Sequence, residues 1–183
     1  MQLLEGQSRQ GRIDLLYADE ARVSQEGYVP YGWQFKGEDV HIEAAKGRGA
    51  NCFAMLSRDN RLAYSLTEQA ITAGFIVEQL EGFSLAITKP TVVVLDNARV
   101  HTAKQVKERL AYWQNRGLYI FYLPPYPPQL NIAERLWKEL KARWLRPKDY
   151  KTADSLFYAV RLALMAVGKH LFIHFSDFNY NTN

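Results

Sequence analysis

The most uniform hydrophobic stretch of the chain is Val92–Leu95, which runs directly into Asp96 and Asn97. Three of its four residues are valines, and a short run of this kind is typical of a strand buried on both faces in the middle of a parallel sheet. In open α/β sheets, ligands and catalytic groups gather beyond the carboxyl ends of such strands. Asp96 is therefore a candidate functional residue, although an Asp-Asn pair at this place also suits a helix cap.

A second apolar run repeats this pattern near the start of the chain. Residues 13–20 (IDLLYADE) predict a strand that ends in Asp19 and Glu20. If that strand persists, its side chains alternate, so Glu20 points to the face opposite Asp19. The other predicted strands span residues 27–37, 51–57, 61–66 and 118–123, the last of them read as buried.

Apolar residues at steps of three and four predict the helices. The first is expected after Thr67, which is a possible N-cap. The others span about residues 102–116, 130–145 and 153–168. Four prolines in residues 124–131 (PPYPPQLN) stiffen the chain before the third helix, either as a plain loop or to fix the start of that helix. The layout of antiparallel strands followed by strand–helix–strand–helix indicates an α/β fold.

Composition limits the class of protein without naming a function. The 183 residues fit one domain with a substantial core, and the 48% hydrophobic and 23% charged residues are ordinary for a globular protein. The single cysteine, Cys52, excludes an intramolecular disulfide and fits a reducing cytoplasm. We find no signal peptide and no apolar run long enough to span a membrane, so we expect a cytoplasmic protein and no membrane partner.

The net charge of +4 permits a polyanionic partner, and one predicted helix concentrates the positive charge. Such a face is often merely solvated, but this one has a single sign and follows a candidate functional acid, Glu134. We therefore expect it to bind DNA phosphates. The basic residues of this face and its end are Arg135, Lys138, Lys141, Arg143 and Arg146.

Three acids have positions that suit a shared site: Asp19, Asp96 and Glu134. The layout can place the first strand beside the central strand, so that both aspartates meet and the helix carrying Glu134 crosses their end. Glu134 in a first helical turn is also explained by the helix dipole alone. Carboxylates are the ligands that Mg²⁺ and Mn²⁺ prefer, and three of them can hold two ions. Crowded carboxylates without a cation would repel each other.

At these acids the sequence resembles a known family. Residues 18–20 (ADE), 95–101 (LDNARVH) and 123–141 (LPPYPPQLNIAERLWKELK) resemble the three catalytic blocks of the DDE transposases of the mariner superfamily, most closely their bacterial insertion-sequence branch. The third block departs from the usual pattern at Pro127 and Ile132, neither of which is a carboxylate. The 38 positions from Asp96 to Glu134 lie within the range of the superfamily.

The resemblance implies a ribonuclease-H-like fold, with a mixed five-stranded sheet of three antiparallel and then two parallel strands flanked by helices. It implies that Asp19, Asp96 and Glu134 bind two Mg²⁺ ions, for which Mn²⁺ may substitute. It further implies cut-and-paste transposition, with DNA hydrolysis at the terminal repeats, strand transfer into target DNA, and a homodimer on DNA in the bacterial nucleoid. A separate or upstream helix-turn-helix region is expected to supply further DNA binding.

We expect four residues beside the carboxylates to support them: Glu20, Asn97, His101 and Asn131. For His101, packing or hydrogen bonding at a helix start is preferred over catalysis. The expected organisation is an arm or linker stub in residues 1–12, the catalytic domain in 13–150, and a C-terminal helix and tail in 151–183. Two alternative functions stay open: a ribonuclease-H-like nuclease or resolvase that only hydrolyses DNA, and a decayed DNA-binding remnant.

Overall fold

A computed structural model of the chain describes residues 1–25, 48–124 and 131–175. Its centre is a mixed five-stranded sheet with the order β3-β2-β1-β4-β5. Strands β1, β2 and β3 are antiparallel neighbours, whereas β4 is parallel to both β1 and β5. This arrangement confirms the expected sheet. The strands are β1 (Asp14–Ser24), β2 (Gly49–Leu56), β3 (Leu62–Thr67), β4 (Thr91–Leu95) and β5 (Leu118–Tyr122).

Helices cover both faces of the sheet. On one face, α2, α3 and α4 pack against alternate residues of β1 and β4, among them Leu16 and Val93. On the other face, α1, α5 and α6 pack against the intervening residues, among them Tyr17 and Val94, and against β2. The helices are α1 (Gln2–Arg9), α2 (Ala73–Ala86), α3 (Lys104–Lys107), α4 (Leu110–Asn115), α5 (Ala133–Glu139) and α6 (Ala153–Ala166).

Strand β4 lies at the centre of the parallel part of the sheet, and all five of its residues are buried. The prediction for this strand is therefore confirmed. The prediction that residues 118–123 form a buried strand was wrong in part, because β5 is an edge strand in which only Leu118 is buried. The apolar composition of a strand does not show whether it has a neighbouring strand on both sides or lies at the edge of the sheet.

Two helix predictions need correction. The cap of α2 is Thr72, whose hydroxyl accepts a hydrogen bond from the Phe75 amide at 3.2 Å, whereas Thr67 ends β3. The helix expected over residues 102–116 is divided into α3 and α4. It ends as predicted at Gly117, whose positive φ of 88° favours glycine.

Two segments near the ends of the described chain are joined to the rest of the fold by side-chain hydrogen bonds. Residues 2–9 form α1, and its buried Glu5 accepts hydrogen bonds from Tyr17 on β1 and from Arg58. Near the other end, the side chain of Asn60 hydrogen-bonds both the amide and the carbonyl of Ile173, which holds residues 171–175 against the sheet. We found no helix in the described ranges with the length and apolar character that crossing a membrane requires.

Two sequence predictions lie outside the described residues. These are the strand expected over residues 27–37 and most of the proline segment, including Pro127 and Pro128. Helix α5 begins shortly after that segment and continues as a π-helical turn over Leu140–Trp144. The sequence predicts a buried stripe of Ala133, Trp137, Leu140 and Trp144 for this helix; the first three are buried, whereas Trp144 is half-buried.

Candidate active site

The register of the two central parallel strands brings the candidate aspartates to the same level. The β1–β4 ladder pairs Asp14 with Thr91 and continues to Tyr17 opposite Val94. Asp19 and Asp96 each lie two positions beyond that last pair. Both also follow the alternation of the side chains that face α5, because Tyr17 and Val94 belong to that buried cluster.

Helix α5 carries Glu134 across this face and is joined to β1 by two side-chain hydrogen bonds. Asn131 Nδ2 donates to the Ala18 carbonyl at 3.0 Å, while Asn131 Oδ1 accepts from the Ala133 amide at 3.1 Å. One asparagine therefore satisfies a backbone amide at the helix start and a carbonyl beside Asp19. Trp137 Nε1 donates to Asp19 Oδ2 at 3.1 Å.

The charges of the three candidate acids influence each other. Burial, Glu20 and Asp96 together raise the pKa of Asp19 to about 7, against the stabilising hydrogen bond from Trp137. Glu134 is exposed, but nearby protein atoms remove part of the hydration of its carboxyl group and, together with the charge of Asp96, raise its pKa. The hydrogen bond with His101 lowers the pKa of Asp96. Asp96 is thus held as an anion between two carboxyl groups that are harder to ionise.

His101 is fully buried and contacts two carboxylates. Its Nδ1 lies 2.7 Å from Asp96 Oδ1 and its Nε2 lies 2.9 Å from Glu20 Oε2, although the second contact is not aligned as a hydrogen bond. Burial alone would lower the pKa of His101, but these two acids raise it to about 9. Both ring nitrogens face oxygen anions, so the imidazolium form is the one that suits this environment.

Strand β5 supports the loop that follows β4. Asn97 Nδ2 donates to the Leu123 carbonyl, and the Leu123 amide donates to the Leu95 carbonyl at 2.8 Å. The hydroxyl of Tyr122 donates to the His101 carbonyl at 3.0 Å. These contacts fix the backbone on which Asp96 is placed.

The expected ligand set of three carboxylates is not assembled into a closed metal site. Within residues 1–25, 48–124 and 131–175, no three His, Cys, Asp or Glu side chains come together as metal ligands. Asp96 instead directs one oxygen toward His101, and Glu134 is exposed. The donor chemistry still fits a hard divalent cation, since all the groups are carboxylates.

The basic face of α5 is less uniformly positive than the sequence indicated. Glu139 lies within it and forms ion pairs with Arg135 at 3.8 Å and Arg143 at 3.1 Å. Arg146, beyond the helix, pairs with Asp149 at 3.7 Å. The exposed Lys138 has no ion pair among the described residues, which leaves it the clearest cation of this surface.

Sequence reasoning missed the polar roles of Trp137 and Tyr122. The sequence pattern predicts Trp137 only as a buried residue of its helix and Tyr122 only as a residue of a strand. The spacing of Trp137, three positions after Glu134, was an available signal, because residues three apart share a helix face. An indole N–H on the face that meets the sheet requires an acceptor there.

Comparison with known proteins adds a family and a set of similar folds. A family model described as DDE superfamily endonuclease matches residues 14–157. The comparison with curated proteins gave no match. The catalytic core domain of BIV integrase is similar, with a TM-score of 0.53, 17% identity, and coverage of 87% of this chain and 86% of that one.

Mos1 structures are similar as well. The Mos1 strand transfer complex gives a TM-score of 0.55 at 15% identity, covering 91% of this chain and 56% of that chain. The Mos1 transposase paired-end complex with the left transposon end gives 0.55 at 16%, covering 90% and 55%. The chain thus spans little more than half of the Mos1 chains. These likenesses show the ribonuclease-H-like fold. Because the family match extends over most of the sequence, the chain belongs to the DDE superfamily endonucleases.

Proposed function

We propose that this chain is the catalytic domain of a DNA transposase, with Asp19, Asp96 and Glu134 as its catalytic carboxylates. The observation that carries the proposal is that Asp19 and Asp96 each lie two residues beyond the last pair of the β1–β4 ladder. The segment that carries Glu134 is hydrogen-bonded to β1 at Ala18 and Asp19. The proposal is supported by the general rule that α/β enzymes bind their substrates beyond the carboxyl ends of their parallel strands, where acids from three separate parts of the sequence would act together.

Two Mg²⁺ ions, or Mn²⁺ in their place, fit these carboxylates. Loss of hydration first, and the charges of neighbouring carboxylates second, raise the pKa values of Asp19 and Glu134, and a bound cation would favour their ionised forms. When bound, such ions activate water for attack on a phosphodiester and stabilise the leaving 3′ oxygen. Asp19, Asp96 and Glu134 would hold them, with the exposed Glu134 side chain turning toward the aspartates.

The chain's own contacts orient the aspartates for this role. Asp96 Oδ1 accepts hydrogen bonds from His101 and from the Ala98 amide at 2.9 Å, which leaves Oδ2 as its unoccupied oxygen among the described contacts. Asp19 Oδ2 is likewise engaged by Trp137. Each aspartate is therefore fixed through one oxygen and can present the other to a ligand. Asn131 sets the start of the helix that delivers Glu134.

The substrate in this proposal is DNA, namely the terminal repeats of a mobile element and a target duplex. Lys138 and Lys141, and more weakly the ion-paired Arg135, Arg143 and Arg146, contact phosphates and give binding that tolerates sequence. We place the enzyme in the bacterial insertion-sequence branch of the mariner superfamily, acting as a homodimer in the nucleoid. A helix-turn-helix region, separate or upstream, recognises the repeats.

A branched DNA that imitates the strand-transfer product tests the proposal without knowledge of the repeats. In the reverse reaction, the 3′-OH of the target strand attacks the phosphodiester that joins the element end to the target, which reseals the target strand and releases the element end with a free 3′-OH. We expect rejoining of the target strand with Mg²⁺ or Mn²⁺, and none from Asp96→Asn. Cleavage without rejoining would favour the hydrolytic nuclease. DNA binding without either reaction would indicate the decayed remnant.

A further inference from the structure

The backbone ladder stops before it reaches the two aspartates. The last β1–β4 pair is Tyr17 with Val94, whereas Asp19 and Asp96 lie two residues further along. Strand β1 is still paired at this level with β2, where Asp19 lies opposite Ala54. Hydrogen bonds of the sheet therefore fix Asp19 on one side but do not fix its separation from Asp96.

The side chain of His101 occupies this junction. Its Nδ1 contacts Asp96 Oδ1 at 2.7 Å, and its Nε2 contacts Oε2 of Glu20, the neighbour of Asp19 on β1, at 2.9 Å. The His101 side chain is 0% exposed, so bulk water does not solvate its two ring nitrogens. A single rigid ring thus connects the strand that carries Asp19 to the carboxylate of Asp96.

The backbone of His101 is itself firmly held. Its amide donates to the Ala98 carbonyl at 3.0 Å, and its carbonyl accepts from the Tyr122 hydroxyl at 3.0 Å. The same turn supplies the Ala98 amide that donates to Asp96. The imidazole therefore has few ways to move without breaking several hydrogen bonds.

We propose that the Glu20–His101–Asp96 bridge is a positioning device that replaces the missing ladder and sets the spacing and orientation of Asp19 and Asp96. His101 and Glu20 are positioning residues: they act on the metal ligands rather than on the DNA. The inference rests on the proposed function in one respect, namely that these aspartates bind divalent ions.

If His101 only filled space in the core, its two contacts with carboxylates would not be needed. An apolar side chain would fill the same buried volume without the cost of removing charged partners from water. Hydrogen bonds that orient metal-binding groups characteristically affect metal affinity by about 10- to 100-fold when they are removed. The two roles therefore predict different results for metal binding.

Substitutions at His101 separate the two ends of the bridge. His101→Asn keeps a donor near the position of Nδ1, facing Asp96, and His101→Gln keeps a donor near that of Nε2, facing Glu20. His101→Ala removes both, and Glu20→Gln tests the far end alone. Val106→Ala is the matched control, because Val106 is equally buried, while its backbone hydrogen bonds run to Ala103 and Arg109 and its side chain has no polar group that could join the bridge.

Mn²⁺ affinity measured by calorimetry, at a temperature where every variant is folded, is the first readout. We expect His101→Ala to bind about 10- to 100-fold more weakly than the unmodified protein, with His101→Asn recovering part of the loss. Val106→Ala should lower Tm yet bind Mn²⁺ normally. Unchanged affinity in folded His101→Ala would overturn the proposal.

Crystal structures without metal give a second readout that needs no activity. In His101→Ala, the Asp96 carboxylate should rotate or move relative to Asp19, whereas in Val106→Ala it should not. An Asp96 that keeps its place in His101→Ala would refute the bridge even if the enzyme works on DNA. Conversely, the unmodified protein could fail to react with DNA while Asp96 still moves in His101→Ala. That pair of results would refute the proposed function and support the bridge.

Discussion

The indole Nε1 of Trp137 donates a hydrogen bond to Oδ2 of Asp19, at 3.1 Å, across 118 positions of sequence. The bond joins the helix that carries Glu134 to the strand that carries the first aspartate. It opposes the rise in the pKa of Asp19 that burial and neighbouring charges cause. One side chain therefore contributes to the position and to the ionisation of a catalytic candidate.

Trp137→Phe should lower the rate of DNA cleavage more than it lowers stability. The ring volume is nearly kept while the donor is lost, so we expect a loss of about 1–2 kcal/mol in the free energy of unfolding. Cleavage should fall by about tenfold or more, because the orientation of Asp19 is relaxed. Trp113→Phe is the matched control, since Trp113 Nε1 donates to Glu81 Oε2 at 2.9 Å away from the acids. Equal cleavage by both variants would contradict a positioning role for Trp137.

Asn131→Ala should impair both the start of α5 and its attachment to β1. The change leaves the Ala18 carbonyl and the Ala133 amide without their partner, so we expect a loss of about 1–3 kcal/mol in denaturant unfolding. Thr72→Ala removes only the cap of α2 and should cost about 1 kcal/mol. At matched folded fractions, only Asn131→Ala should reduce cleavage. A fully active Asn131→Ala enzyme would show that the attachment of α5 does not control Glu134.

Asp19→Asn should stabilise the metal-free protein at alkaline pH. The folded-state pKa of Asp19, about 7, lies above the ordinary value of 3.8, so ionisation disfavours the folded state. The penalty is absent below about pH 4, grows as the pH rises toward 7, and is complete above it. Since one pKa unit corresponds to about 1.4 kcal/mol, we expect roughly 1–3 kcal/mol after allowing for coupling to Glu20 and Asp96.

Thermal unfolding at pH 4 and pH 8, with and without Mg²⁺, checks this expectation. The Tm of Asp19→Asn should exceed that of the unmodified protein at pH 8 but not at pH 4. Mg²⁺ should raise the Tm of the unmodified protein and have little effect on Asp19→Asn, which lacks the charged ligand. A variant that is less stable at pH 8 would contradict the assigned direction of the pKa.

Replacing Lys138 and Lys141 together with Ala should weaken binding to all DNA sequences alike. The logarithm of the binding constant should depend less steeply on the logarithm of salt concentration, by a slope of about 2, since two phosphate contacts are lost. Lys89→Ala is the control, because Lys89 lies near the start of β4, at the end opposite Asp96, and pairs with Asp14. Loss of binding for one sequence only would indicate base recognition instead.

Glu139→Gln should strengthen DNA binding. This acid neutralises Arg135 and Arg143 on the proposed DNA surface, so its removal frees two guanidinium groups for phosphates. We expect an increase in affinity of about two- to fivefold at low salt, vanishing at high salt. A filter-binding titration at two salt concentrations is sufficient. Weaker binding in the variant would mean that the two ion pairs hold the arginines in their binding positions.

The sequence by itself determined the elements whose cause is local. The mainly β-branched run Val92–Leu95 favours a buried strand, which the structure contains, and the buried residues of α5 follow from steps of three and four between its apolar residues. The sequence also showed that Asp96 follows an apolar run at the end of a strand, whereas the predicted end of the first strand at Asp19 and Glu20 was wrong, because β1 continues to Ser24 by pairing with β2. These features depend on the periodicity of side chains along a short segment, and that periodicity is visible in the sequence itself.

Only the tertiary structure decided which side chains meet. The register of β1 on β4 brings Asp19 level with Asp96, and packing between distant segments sets the partners of His101 and Trp137. The sequence showed a histidine, a buried tryptophan and a row of basic residues, but not their acceptors. Hydrogen bonds and ion pairs act over about 3–4 Å, so their partners are fixed by the folded arrangement of the chain rather than by local pattern.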